Sequence, residues 1–247
     1  GYIIIYLIFN KMQNININPG DLSVIFWNKI LENSYLKSKI YREEFFSKID
    51  SLDKLRISSD YNTGSITSTT SWLLYSLVIY FKPETIIEVG SFIGKSTISM
   101  ALGADTYKDE YESKIFCCDM SNDISLPKLS LTKITQFNKT KSQKMFKELD
   151  GKHSFDLVHI DGRLGNEDFE LIKKNISDKT IFVLDDFEGK EKGVINYIQF
   201  IQNFNNSEFK YLLVYPIQNE ILSKFKLVER STSAVLLPTR SIGFTNQ

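Results

Sequence analysis

Apolar residues follow two spacings along this chain, and the change between them marks the predicted helices and strands. Residues 21–50 carry apolar side chains at helical spacing, which predicts two helices, with Asp21 as the N-cap of the first. Beyond them, short apolar runs alternate with segments that suit helices. The predicted strands are 85–90, 114–119, 132–137, 155–161, 180–186, 210–216 and 225–237. The predicted helices among them are 67–81, 95–104, 140–149, 166–175 and 193–203.

The order of these elements indicates the fold class. Strands that alternate with helices at this spacing predict an α/β protein with a doubly wound, mostly parallel sheet. The last two predicted strands are close in sequence and can pair antiparallel. We expect residues 1–60 to be an N-terminal extension whose helices pack on the core, and residues 61–247 to form the main domain.

Composition narrows the setting of the protein. The chain has 247 residues, of which 42% are hydrophobic and 24% charged, as in ordinary globular proteins. Thirty basic residues balance thirty acidic ones, so no overall basic field favours nucleic acid as a partner. The two cysteines, Cys117 and Cys118, are adjacent in a predicted strand and point to opposite faces, which argues against a disulfide. We expect a reducing, cytoplasmic setting.

The N-terminal residues 2–9 form an apolar run, YIIIYLIF. This run is shorter than the roughly 20 residues that a membrane-spanning helix needs, and it lacks the features of a signal peptide. We therefore expect no membrane partner. One interpretation is that translation begins at Met12; the alternatives are an added strand or a hydrophobic contact in a homodimer.

The segment 84–97, ETIIEVGSFIGKST, is the most informative part of the chain. An apolar strand ends at Gly90, Gly94 follows four positions later, and a helix-compatible stretch then begins. The free N–H groups of such a helix start favour an anion or a carboxylate. The glycine spacing differs from those of the dinucleotide fingerprint and the P-loop. Glu88 would attract amines or hydroxyls and repel phosphate, which favours a zwitterion or a nucleoside over a pyrophosphate.

Three further acids end two neighbouring predicted strands: Asp161 ends FDLVHID, and Asp185 with Asp186 ends TIFVLDD. Neighbouring ends of parallel strands meet at one edge of a sheet, where three carboxylates repel unless they are protonated or neutralised by a cation. Oxygen ligands of this kind suit Mg²⁺. The alternative is that Asp161 only bounds a ligand pocket and that Asp185 and Asp186 cap the following turn.

The motif E-x-G-x-x-x-G-x-S, together with these acids, resembles the class I S-adenosylmethionine-dependent methyltransferases. Within them the chain is most similar to the catechol O-methyltransferase-like and related small-molecule, sugar-type O-methyltransferases. The resemblance covers about residues 60–237. It implies a Rossmann-like, seven-stranded sheet with an inserted antiparallel last strand, and a cofactor-binding methyltransferase domain over residues 61–247.

The resemblance also implies roles for individual residues. Asp119 would accept the ribose hydroxyls of S-adenosylmethionine, Met120 would lie against the adenine, and Ser96 would hold the methionine carboxylate. The alternative for Asp119 is a turn residue or helix cap. The expected cofactor-binding set is Glu88, Gly90, Ser91, Gly94, Ser96, Asp119, Met120, Ser142 and Asp161. The expected Mg²⁺ ligands are Asp161, Asp185 and Asp186.

One position departs from the related enzymes. They carry a general base shortly after the strand that ends in Ile-Asp-Gly, and this chain has Leu164 there. An arginine side chain is a poor base because a guanidinium group offers only donors, so we expect Arg163 to bind an anionic group of the substrate. The expected catalytic residues are Asp161 and Arg163. His159 lies deeper in the strand, where a structural role is favoured over a catalytic one.

Two functions remain open from the sequence. The first is a Mg²⁺-assisted O-methyltransferase acting on a small hydroxylated molecule. The alternative, which Leu164 keeps open, is a catalytically degenerate S-adenosylmethionine-binding protein with a regulatory or interaction role. The loop 188–193 would either border the acceptor pocket or be solvated surface. The expected partner is a small-molecule methyl acceptor, without nucleic acid or membrane, and a homodimer is an open alternative to a monomer.

Overall fold

The computed structural model describes residues 18–58, 64–110, 112–120, 124–205 and 207–239. The apolar run 2–9 and Met12 lie outside the described residues, and so does most of the loop that precedes residue 64. No helix within the described ranges is both long enough and apolar enough to cross a membrane.

The N-terminal region is helical, as predicted. Helix α1 spans Pro19–Lys37, helix α2 spans Arg42–Asp50, and a 3₁₀ helix follows at Ser51–Ser58. The predicted N-cap of α1 was wrong: the cap is Asn18, whose side chain accepts a hydrogen bond from the backbone N–H of Gly20 at 2.9 Å. An asparagine just before Pro-Gly can cap the helix one turn earlier than the periodicity of apolar residues suggests.

Helix α3 spans Ser68–Phe81 and is buried along most of its length. Helix α4 spans Lys95–Asp105 and packs directly against it, because Gly103 allows the two backbones to approach. A Cβ on Gly103 would lie 2.8 Å from the carbonyl oxygen of Tyr75. The two helices are thereby held in close contact.

Seven strands form one sheet in the order β3-β2-β1-β4-β5-β7-β6. Strand β7 is antiparallel to both of its neighbours, β5 and β6, whereas the pairings among β1 to β5 are parallel. This arrangement confirms the predicted Rossmann-like methyltransferase fold. The strands are β1 Thr85–Val89, β2 Lys114–Asp119, β3 Lys133–Asn138, β4 Phe155–Ile160, β5 Ile176–Leu184, β6 Tyr211–Val214 and β7 Ala234–Pro238.

Helices cover both faces of this sheet. Alternate residues of β1 point to opposite sides, so Ile86 joins the apolar cluster under α1 to α4, and Ile87 joins the cluster on the other face. The remaining helices are α5 Ser142–Leu149, α6 Asn166–Lys174, α7 Lys192–Phe204 and α8 Asn219–Lys224. The N-terminal helices belong to the first layer: Ser76 in α3 donates a hydrogen bond to Ser34 in α1 at 2.9 Å.

Two predicted strands differ from the structure. Strand β5 begins at Ile176, four residues before its predicted start. The prediction missed this part of the strand because residues 177–179 are polar and show no apolar alternation. The predicted strand 225–237 was wrong over most of its length, since β7 begins only at Ala234. Both β4 and β5 end just before the acids, so Asp161, Asp185 and Asp186 lie at the carboxyl edge of the sheet.

We predict that Gly103→Ala destabilises the fold. The added methyl group meets backbone rather than a flexible side chain, so α3 and α4 must move apart, at a cost of about 1–3 kcal/mol in the free energy of unfolding. Urea unfolding measures this cost. Gly64→Ala is the matched control, because a Cβ there has no atom within 4 Å. A Gly103→Ala protein that is as stable as the wild type would contradict the packing described here.

Candidate active site

The turn between β1 and α4 has an unusual backbone. Gly90, Phe92 and Gly94 have positive φ angles of 93°, 43° and 84°. Glycine adopts such angles without strain, which explains the residue type at positions 90 and 94. A Cβ on Gly90 would lie 2.7 Å from the carbonyl oxygen of Asp161, and a Cβ on Gly94 would overlap Leu126. The turn is therefore pressed against the end of β4. Helix α4 begins directly after it without a side-chain cap, which leaves its first N–H groups as donors for an anion.

Asp119 borders this turn. Its Oδ2 atom accepts a hydrogen bond from the backbone N–H of Phe92 at 2.8 Å. Met120 follows, with 63% of its surface exposed. The two residues are thus placed at the open side of the glycine turn, where a nucleoside can reach them; their contacts with a cofactor stay predictions.

Ser91 and Ser96 are nearly buried within the same turn and helix start. Ser142 has a different environment, at the first residue of α5. Its hydroxyl donates to Asp168 at 2.8 Å, and the same carboxylate accepts the backbone N–H of Gly165 at 2.8 Å. This bond links α5 to the start of α6, and the expected contact of Ser142 with the cofactor stays a prediction.

Glu88 lies inside the protein rather than at the surface of the turn. Its side chain has no exposed surface, and both oxygens have partners inside the protein. The hydroxyl of Thr97 donates to Oε2, and Nδ1 of His159 lies 3.1 Å from Oε1. The acid therefore joins β1, β4 and α4 in this structure, and its place in the cofactor-binding set stays a prediction.

His159 is fully buried beside this carboxylate, which agrees with the structural role that the sequence favoured. Burial alone would favour the neutral ring. The hydrogen bond to Glu88 and the charges of Glu88, Asp161 and Asp185 outweigh it and raise the pKa of His159. The imidazole is the partner of a buried acid rather than a group open to a substrate.

The acids at the ends of β4 and β5 have a cation among them. The ammonium group of Lys192 lies 2.5 Å from Oδ1 of Asp161 and 3.1 Å from Oδ2 of Asp186. The third acid, Asp185, is buried and accepts a hydrogen bond from the hydroxyl of Ser233 at 2.6 Å. Each of the three carboxylates therefore has a partner from the same chain.

This arrangement shifts the pKa values of Asp161 and Lys192. Burial and the neighbouring charge of Asp185 raise the pKa of Asp161 to about 7, against the opposing effect of Lys192. Burial would lower the pKa of Lys192, but Asp161 and Asp186 outweigh it and raise that pKa above its usual range. The lysine is therefore charged at neutral pH.

This arrangement does not fit the predicted Mg²⁺ site. Within the described ranges, no group of three His, Cys, Asp or Glu side chains is arranged to hold a metal ion. The space between Asp161 and Asp186 is taken by the ammonium group, and Asp185 is bonded to Ser233. The acids at this sheet edge do have a cation among them, but that cation is Lys192 of the same chain. The predicted Mg²⁺ ligand set of Asp161, Asp185 and Asp186 does not form within the described ranges.

The loop after Asp161 is fixed by a residue that sequence reasoning missed. Asn196 in α7 accepts the backbone N–H of Leu164 at 3.1 Å and donates to the carbonyl of Gly162 at 2.7 Å. Leu164 is buried in the apolar cluster, so it offers no polar group to a substrate. Arg163 is exposed at the tip of the loop, where its contact with an anionic group stays a prediction.

The N-terminal extension also reaches the site. The carboxylate of Asp53 in the 3₁₀ helix pairs with the buried Lys95 at 2.9 Å and with Arg56 at 3.1 Å. The guanidinium of Arg56 lies 5.9 Å from the ring centroid of Phe92. The 3₁₀ helix therefore packs beside the glycine turn and neutralises a lysine at the start of α4.

The sequence contained a hint that Lys192 lies near the acids. It is the last charged residue of the loop 188–193, it precedes the Gly-Val that begins a helix, and it follows two acids at a strand end. Its partner Asp161 is distant in sequence, so periodicity and spacing could not reveal the pair.

Comparison with known proteins gives a family match for part of the chain and a fold for most of it. Residues 87–187 match a family model described as a methyltransferase domain. No curated protein sequence matches the chain. Among solved structures, the chain is similar to an O-methyltransferase from Bacillus cereus in complex with SAH, at 13% identity and a TM-score of 0.57, covering 78% of this chain and 90% of that one.

Two further structures have the same fold. The O-methyltransferase TomG from Streptomyces achromogenes, involved in tomaymycin synthesis and in complex with SAM, is 16% identical with a TM-score of 0.55, covering 89% of this chain and 96% of that one. A methyltransferase from Geobacter sulfurreducens is 11% identical with a TM-score of 0.52, covering 83% and 94%. Residues 87–187 thus match a methyltransferase family, and the chain has the Rossmann-like fold of the class I S-adenosylmethionine-dependent methyltransferases.

Proposed function

We propose that this protein transfers the methyl group of S-adenosylmethionine to an oxygen atom of a small hydroxylated molecule. The glycine turn between β1 and α4 carries the proposal, because it joins an uncapped helix start to Asp119 at one open edge. The family match over residues 87–187 and the similar structures with SAH or SAM support it. The proposal assigns cofactor binding to the domain 61–247.

The residues of the turn fit the parts of this cofactor. The first N–H groups of α4 and the hydroxyl of Ser96 suit the methionine carboxylate. Gly90 and Gly94 let the ligand approach the backbone closely. Asp119 can accept the ribose hydroxyls, and the exposed Met120 offers an apolar surface to the adenine. When it is bound, S-adenosylmethionine supplies a methyl group on a positively charged sulfur.

The acceptor side of the site lies at the ends of β4 and β5. Asp161 belongs to both sides, since its backbone supports Gly90 and its carboxylate pairs with Lys192. We propose that Asp161 helps to orient the acceptor and that the exposed Arg163 binds an anionic group on it. Methyl transfer then depends chiefly on proximity and alignment of the acceptor oxygen with the sulfonium methyl group.

The proposal includes a small-molecule acceptor in the cytoplasm rather than a nucleic acid or a membrane. The balanced charge of the chain and its two buried, free cysteines support this setting. A homodimer remains part of the proposal only as an alternative to the monomer.

The direct test combines binding with turnover. We expect calorimetry to detect S-adenosylhomocysteine binding by the full chain, and we expect mass spectrometry to detect methylated product from a panel of phenols, catechols and hydroxylated sugars. Absence of cofactor binding would contradict the proposal. Tight binding without transfer to any acceptor would instead favour the degenerate, cofactor-binding protein.

We predict that Asp119→Ala weakens S-adenosylhomocysteine binding by about 1–3 kcal/mol, the usual scale for losing hydrogen bonds to a charged group. Asp119→Asn should fall between the two, because an amide oxygen still accepts a hydrogen bond. Asp178→Ala is the control, since this exposed acid lies near the other end of β5. Calorimetry on folded proteins decides; equal affinities for the wild type and Asp119→Ala would refute the ribose assignment.

We predict that His159→Ala acts on stability and not on the cofactor. It leaves Oε1 of Glu88 buried without its partner, which should lower the free energy of unfolding by about 1–3 kcal/mol. Affinity for S-adenosylhomocysteine should be nearly unchanged in calorimetry. His159→Gln should lose less stability, because its amide can still donate to Glu88. A folded variant that loses cofactor affinity while keeping its stability would contradict the structural role.

The raised pKa of His159 adds a pH dependence to this prediction. A raised folded pKa means that the contribution to stability is fully present below the unfolded pKa of about 6.5, and is lost as the pH rises through the folded value. The difference in unfolding free energy between the wild type and His159→Gln should therefore shrink as the pH rises over that range. A difference that grows with pH would show that the sign is wrong.

A further inference from the structure

The acid cluster at the carboxyl edge of the sheet contains its own cation. The ammonium group of Lys192 lies within 3.1 Å of carboxylate oxygens from two neighbouring strand ends, those of Asp161 and Asp186. The three side chains are only partly open to solvent, with 29% of Lys192, 17% of Asp161 and 39% of Asp186 exposed. These are not the properties of a freely solvated surface lysine.

The backbone holds this lysine in place. Lys192 is the first residue of α7, and the next residue, Gly193, lies against the turn that follows β5. A Cβ on Gly193 would overlap the carbonyl oxygen of Asp185, and the turn itself uses a positive φ of 52° at Asp186. A side chain at position 193 would move the helix start away, so the contact between glycine and turn positions the ammonium group between the acids.

A divalent ion and this ammonium group exclude each other. An ion bound between Asp161 and Asp186 would lie within a few ångströms of the lysine nitrogen, and two cations at that distance repel strongly in a partly buried site. The stem of Lys192 begins at a fixed helix start, which limits its retreat. The third acid, Asp185, is buried and accepts the Ser233 hydroxyl at its Oδ1 atom.

We propose that Lys192 is the resident cation of the acceptor site, in the position where the sequence predicted Mg²⁺, and that methyl transfer needs no divalent metal. The second half rests on the proposed function. In that reaction the acceptor oxygen forms a bond to the methyl carbon, and the carbon–sulfur bond breaks with its electron pair left on sulfur. The hydroxyl proton leaves to water, and Lys192 stabilises the negative charge on the acceptor oxygen without being consumed.

The test measures metal binding, which does not require activity. Mn²⁺ serves as the probe, and electron paramagnetic resonance counts the ions bound to the full chain with S-adenosylhomocysteine present. We expect no Mn²⁺ bound to the wild type at this site. Lys192→Met removes the charge but keeps a similar volume, and we expect it to bind Mn²⁺ at least about tenfold more tightly, because a like charge has been removed.

Two further variants control the result. Lys192→Arg keeps the positive charge and should bind no more Mn²⁺ than the wild type. Lys190→Met removes a charge from an exposed lysine in the same loop and should behave like the wild type. Stoichiometric binding of Mn²⁺ to the wild type would overturn the proposal, and this arm needs no variant to fold. Failure of a folded Lys192→Met protein to bind Mn²⁺ would overturn it as well.

Turnover gives an independent second arm. If the protein methylates an acceptor, a chelator should leave the wild-type rate unchanged, and added Mg²⁺ should not raise it. A rate that falls with chelator and recovers with Mg²⁺ would overturn the proposal. If no acceptor is methylated, the proposed function fails, and the Mn²⁺ measurements still decide whether Lys192 occupies the metal position.

Discussion

Carboxylates gathered at one edge of a parallel sheet need partners, and this need is the constraint on which the site depends. Acids lie at or near the carboxyl ends of β1, β2, β4 and β5, and parallel strands bring those ends together. The chain gives each acid a different partner. Glu88 has Thr97 and His159, Asp119 has a backbone N–H, Asp185 has Ser233, and Asp161 with Asp186 has Lys192. These partners decide which acids remain accessible to ligands.

Accessibility divides the edge into two sides. Glu88 is buried, so under the proposed function the cofactor side would depend on the glycine turn, the start of α4 and Asp119. On the other side, the paired but partly exposed Asp161, Asp186 and Lys192 face the place where an acceptor would lie. The close approach of Gly90 to the backbone of Asp161 joins the two sides, and under the proposed function this contact would link the positions of methyl donor and acceptor.

The fold was readable from the sequence because it follows from periodicity. Alternating strands and helices, the glycines after β1 and the closely spaced last strands all act over short distances along the chain. The charge partners were not readable, because they come from distant positions: His159 is 71 residues from Glu88, and Ser233 is 48 residues from Asp185. A single sequence shows that acids at strand ends need partners, but it does not show whether a metal, a lysine or a hydroxyl supplies them.

Hydrogen exchange of the full chain, with and without S-adenosylhomocysteine, is the most direct test of where the cofactor binds. We expect the ligand to slow amide exchange in peptides covering residues 88–97 and 117–120, where the helix start and Asp119 lie. Residues 176–179, at the opposite edge of the sheet, should not change. Unchanged exchange at residues 88–97 under saturating ligand, or protection confined to another part of the molecule, would contradict the assignment of the cofactor site.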